Sequence, residues 1–163
     1  MQSTIGVYAT HDGALEAAKQ LKNAGFNDTH LSIIGQAEVI DNHVHVKSKE
    51  GEKAAGVAIG AVLGTTLGVL TGIGLIAIPG LGLIFGAGAV AGGLAGLDVG
   101  LIGGGIVSVL TMLGIKDDTS IKYKDHLGQG HFLLTIQGTD DEVSRAHQLL
   151  LTHNTHIDLA THK

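Results

Sequence analysis

Histidine carries most of the chemistry this chain has to offer: ten imidazoles stand among 163 residues that include no cysteine. Imidazole is the commonest metal ligand and titrates nearest to neutral pH. His43 and His45 share one face if their stretch is a strand, which makes them the candidate metal pair. His126 and His131 bracket a Gly-rich turn, and His153, His156 and His162 crowd toward the C-terminal end. A metal centre needs three or four ligands in fixed geometry, and no carboxylate–histidine pattern at defined spacing accompanies these groups. The expectation is solvated surface histidine, with no metal and no cofactor.

Other catalytic patterns are weaker still. No P-loop, HExxH or GxSxG occurs in the sequence. GLGLIFG at 80–86 and GAGAVAG at 86–92 imitate phosphate-binding glycines, but their spacing is GxGxxxG and neither follows a strand of a βαβ unit. Asp98, the single charge between 54 and 115, cannot form a paired-carboxylate site alone; a helix break, a cap or an intersubunit hydrogen bond accounts for it. Net charge −5 and a pI near 6.0 leave no basic footprint for nucleic acid. The expectation is a protein that is not an enzyme.

The elements that would position such residues divide by charge into segments 1–53, 54–115 and 116–163, mixed in the outer two. In the first, Ile5, Val7 and Ala9 alternate with Thr4, Gly6 and Tyr8, the period of a half-buried strand. A helix follows, capped by Thr10 or Asp12, striped by Ala14, Leu15, Ala18 and Leu21 and stopped by Gly25. LSIIG at 31–35 reads as a second strand. In the last segment, a short helix over 118–127, ended by Gly128, leads to a strand at 131–138. Thr139 and Glu142 match a capping box for the helix after it, with Val143, Ala146, Leu149 and Leu150 facing inward. A final strand around 156–159 closes the order β-α-β, insertion, β-α-β. That order specifies an α+β, ferredoxin-like sandwich split at its middle by segment 54–115.

The insertion begins with 24 consecutive uncharged residues, 54–77. As a helix they would extend about 36 Å, enough to cross a hydrocarbon core of about 30 Å. Gly56, Gly60, Gly64, Gly68 and Gly72 recur every fourth residue, and Gly88, Gly92, Gly96, Gly100 and Gly104 repeat the series beyond Pro79 and Gly80. The expected arrangement is an antiparallel helical hairpin, a glycine zipper turning at Pro79-Gly80. A period above 3.6 implies right-handed wrapping, in which bare glycine faces let two backbones approach. The outer faces, with Val62, Leu63, Leu67 and Leu70, suit lipid or a neighbouring subunit. The apolar tip and Asp98 temper a full membrane crossing. Lys47, Lys49, Lys53 and Lys116 flank the base and place the α/β domain on the cytoplasmic side if the arms enter a bilayer.

GVYATHDGALEAAKQLKNAGF at 6–26, the Gly/Ala hairpin with IPGLG, and HFLLTIQGTDDEVSRAHQLLLTH at 131–153 together resemble a family of small bacterial general stress proteins. These carry the heat-induced stress protein domain, of the general stress protein 17M type. The resemblance implies a stress-associated bacterial protein and brings no catalytic residues. The sequence therefore leads to a stress-response protein, cytoplasmic or on the cytoplasmic face of the inner membrane, that associates with membrane lipid and with itself through the glycine zipper. The alternative is a soluble structural protein that buries its hairpins between subunits of a large homo-oligomer or filament.

Overall fold

The computed structural model describes residues 2–27, 30–40, 43–46, 57–58, 73–78, 82–88, 107, 110–111 and 115–162. Its framework is an antiparallel sheet in which β1 (Gln2–Tyr8) lies between β7 (Phe132–Gly138) and β8 (Asp158–His162), with β2 (Leu31–Ile40) on the far side of β7. Numbered as the four framework strands, the order is 4-1-3-2, compatible with the ferredoxin-like arrangement. Each half contributes a helix after its first strand, α1 (His11–Asn23) and α3 (Asp140–His153). The preceding helix, α2 (Asp117–Gly128), feeds β7.

Local chemistry sets these boundaries. Thr10 caps α1 by accepting from the Gly13 N–H at 3.1 Å. At the other end Gly25, at φ +92, allows Phe26 N–H to reach Leu21 O at 3.1 Å and Gly25 N–H to reach Lys22 O at 3.0 Å. These two bonds are the Schellman motif, which satisfies carbonyls a helix end would leave bare. The capping box at α3 is complete, with Thr139 N–H donating to Glu142 Oε2 at 2.9 Å and Glu142 N–H to Thr139 Oγ1 at 3.4 Å.

Both faces of the sheet are covered. Tyr8, Leu31, Ile33, Phe132, Leu134 and Ile136 pack with Ala14, Ala18 and Leu21 of α1 and Ala146 and Leu150 of α3. Ile5, Val7, Ile34, Ile84 and Leu133 pack with Tyr123 and Leu127 of α2 and with Leu110 and Ile115. The half-buried strand expected at β1 is thus buried on both sides, Thr4 and Tyr8 included. Antiparallel sheets often leave one face wet; here α2 and residues 110 and 115 take that place. Each large side chain so buried contributes about 1.5–3 kcal/mol.

Two boundaries also shift. Gly128 lies inside α2, and the residue that ends the helix in the left-handed region is Gly130, at φ +83. The last strand is 158–162 and not 156–159, because Asp158 to His162 is the run that pairs with Val7 to Ser3.

The larger correction concerns the insertion. Residues 73–77 and 83–88, expected in helical arms on either side of a break at 78–82, lie in strands β5 (Ile73–Ile78) and β6 (Gly82–Gly88). They pair from Ile78 opposite Gly82 to Ile73 opposite Ala87. β6 then joins the free edge of β2, Ser32 opposite Gly88 through Ala37 opposite Leu83. In IGLIAI and GLIFGAG four isoleucines and Phe85 favour the pleated strand, and four glycines penalise a helix interior by about 1 kcal/mol each. An open edge on β2 supplies the hydrogen bonds. Beyond β7, the end of β2 also pairs with β3 (His43–Val46), and β3 with β4 (Val57–Ala58). Among the described residues no helix is long and apolar enough to cross a membrane.

Candidate functional site

Of the ten zipper glycines, the structure describes only Gly88, the last residue of β6, opposite Ser32. Gly56, Gly60, Gly64, Gly68, Gly72, Gly92, Gly96, Gly100 and Gly104 lie outside the described residues, as do Pro79, Gly80 and Asp98. Ile78 and Gly82, which border Pro79 and Gly80 in the sequence, stand opposite each other in the β5–β6 ladder. Within this hairpin Gly74 stands opposite Gly86, and Gly86 opposite Ile34, so glycines meet across the ladder at one level.

β5 is the outer strand of this hairpin. Among the described residues it pairs with β6 alone, and its sequence, IGLIAI, has no charge and no proline. An apolar outer strand of this kind offers a row of backbone donors and acceptors to another chain. Folded proteins usually blunt such an edge with lysine, proline or a bulge.

The histidines separate into distinct environments. His43 and His45 occupy alternate positions of β3; Glu38 of β2 stands opposite His45 and Ile40 opposite His43. His153 ends α3 in solvent, while His156 and His162 flank opposite ends of β8. Six residues of extended chain span about 20 Å, so these three form no cluster.

Several imidazoles are built into the fold, where surface positions were expected. His11 is buried at the start of α1, its ring edge-on to Phe132 at 5.7 Å. Burial lowers its pKa, opposed by nearby Asp12. His147 Nδ1 lies 3.2 Å from both Thr4 Oγ1 and Thr161 Oγ1, which are 3.1 Å from each other. His162 Nε2 meets the Tyr123 hydroxyl at 2.7 Å, and the neighbouring Lys122 Nζ pairs with Asp158 Oδ2 at 2.5 Å. Burial of His162 and the Lys122 charge lower its pKa, and burial raises that of Tyr123.

A hydroxyl beside an imidazole can form a nucleophile and base. Here Thr4 Oγ1 is fully buried and donates to Ala160 O at 3.0 Å, so its proton is committed to the sheet. The Thr4–His147–Thr161 triangle therefore fastens α3 to the β1–β8 edge.

His126 and His131 form a close imidazole pair, with Nδ1 atoms 3.1 Å apart and ring centroids 5.3 Å apart. They are held by a second Schellman motif: His131 N–H donates to His126 O and Gly130 N–H to Leu127 O, both at 3.0 Å. The signal in the sequence was HLGQGH at 126–131, two histidines five apart with glycine one before the second. Among the described residues no three histidine, aspartate or glutamate side chains converge on one point.

A shallow groove near the end of α1 is lined by Ala24, Phe26, Arg145, Gln148, Leu149 and Thr152, with the Arg145 guanidinium 5.5 Å over the Phe26 ring. Comparisons with protein families, with curated proteins and with solved structures find no match to this chain.

Proposed function

We propose that this chain is a non-enzymatic, self-associating protein of the bacterial stress response, in which segment 54–115 supplies the contact between copies. The observation that carries the reading is the uncharged outer edge of β5, next to a segment whose glycines recur every fourth residue. Edge pairing would extend the sheet from one copy to the next, and the glycine series allows backbones to approach where it packs. The stress-response assignment rests on the resemblance of 6–26 and 131–153 to the general stress proteins.

Sedimentation velocity of the tag-free chain across a hundredfold concentration range tests the contact. A large assembly is expected for the wild type, with smaller species for Ile76→Lys and for Gly64→Leu/Gly68→Leu. A wild-type monomer at every concentration overturns the reading. Contact with membrane lipid is the second reading, favoured by the uncharged run 54–77 and its flanking lysines. Flotation with vesicles of phosphatidylcholine and phosphatidylglycerol separates it from assembly in water: protein that stays at the bottom of the gradient rejects it.

A further inference from the structure

The two Schellman motifs of this fold are built alike and filled differently. At the end of α1 the paired positions are Leu21 and Phe26, an apolar contact of the usual kind. At the end of α2 the same two positions are His126 and His131. A motif that ordinarily closes a helix with a hydrophobic clasp here fixes two imidazoles, half-buried, with their Nδ1 atoms facing each other.

We infer that His126 and His131 form a chelating site for a divalent transition-metal ion such as Zn²⁺, Ni²⁺ or Cu²⁺, bound through the two Nδ1 atoms. An ion at the usual metal–imidazole distance of about 2.0–2.1 Å from both nitrogens, which are 3.1 Å apart, subtends an N–metal–N angle of about 98°. That angle falls between the octahedral and tetrahedral values. Histidine χ2 has a broad torsional well, so modest rotation of each ring turns both lone pairs onto one point. The backbone distance between the residues need not change, because His131 N–H and His126 O already hold it.

The location favours a cation in a second way. The partial negative charge at a helix C-terminus is concentrated on its last carbonyls; His126 lies in the last turn of α2, and His131 follows its C-cap, three residues beyond Gly128. In the metal-free pair one Nδ1–H donates to the other Nδ1. When the ion binds, that proton passes through solvent to Nε2 of the same ring, leaving two neutral imidazoles and no net proton change. Water completes the coordination.

Titration calorimetry of ZnCl₂, NiCl₂ and CuCl₂ into the tag-free full chain tests the assignment. Saturable binding is expected, weakened about tenfold or more by His126→Gln and by His131→Gln, since losing a ligand should weaken binding at least as much as losing an outer-shell partner. His153→Gln should bind as the wild type does. Equal affinity of wild type and both variants, or no saturable binding by the wild type, overturns it. If a variant fails to fold, the wild type still decides: Ni²⁺ should broaden NMR signals around residues 126–131 first. Broadening centred on 43–45 or on the C-terminal histidines overturns the site.

Discussion

The Tyr123 hydroxyl stands 2.7 Å from His162 Nε2, joining α2 to the last strand of the sheet. The two rings meet edge to face at 5.6 Å, and Tyr123 is fully buried. Replacing Tyr123 by Phe keeps the packing and leaves the imidazole without this partner. A loss of about 1–2 kcal/mol is expected, read as a lower urea midpoint at pH 7; an unchanged midpoint would show that the bond adds no net stability.

Acid should destabilise the fold through His162 and His11. Both have pKa values below the ordinary 6.5: burial is the main cause in each, Lys122 adds to it at His162, and Asp158 and Asp12 respectively oppose it. Between the folded value and 6.5 the unfolded chain binds more protons, so stability rises with pH there. The contribution is present above 6.5 and is lost as pH falls through and below it. Urea midpoints from pH 8 to pH 5 should decline below neutrality, and His162→Gln should flatten part of that decline. A wild-type midpoint that holds or rises on acidification contradicts this.

The start of α3 provides a coupled test. Thr139→Ala removes a cap worth about 1 kcal/mol. Gly138→Ala should act on the same bonds, because a Cβ there would lie 2.7 Å from Glu142 Oε2 and displace the carboxylate from the Thr139 N–H. The double variant should therefore lose less than the sum of the singles. Strict additivity in thermal denaturation would show that Gly138 acts elsewhere.

Gly6 is fixed by its neighbour two residues on. A Cβ at this position would stand 2.8 Å from Tyr8 Cε2, and Tyr8 is a buried core ring. Gly6→Ala should cost about 1–3 kcal/mol by overpacking. Gly25→Ala, with open space around it, should instead be penalised by its positive φ alone. Comparing the two melting temperatures with that of Gly6→Ala/Tyr8→Phe checks the first mechanism, since deleting the hydroxyl should recover only part of the loss.

The outer segments were legible because local and tertiary signals agree in them. The Thr10 cap, the Gly25 stop and the Thr139–Glu142 box each fix an element boundary by short-range hydrogen bonding. The 4-1-3-2 order follows once the two β-α-β halves interleave. Within 54–115, residues 73–78 and 82–88 were misread because an uncharged, glycine-rich run fits a helical period, whereas these strands answer to the open edge of β2, a long-range partner no local pattern contains. The burial of Thr4 was equally hidden, since its partners Ala160, Thr161 and His147 are distant in sequence. His126 and His131 were visible as a pair bracketing a turn; their 3.1 Å approach needed Gly130 to take the left-handed conformation.

The central position of β1, between β7 and β8, also governs how the protein is made. A ribosome synthesises this strand early and both of its partners late. Late in that interval the charge-free stretch has left the exit tunnel while the sheet that receives β6 is still incomplete. Pairings so remote in sequence form slowly, and apolar strands waiting for them are prone to join neighbouring chains. The nascent chain is therefore most in need of a chaperone after residue 115 has emerged and before residue 162 has.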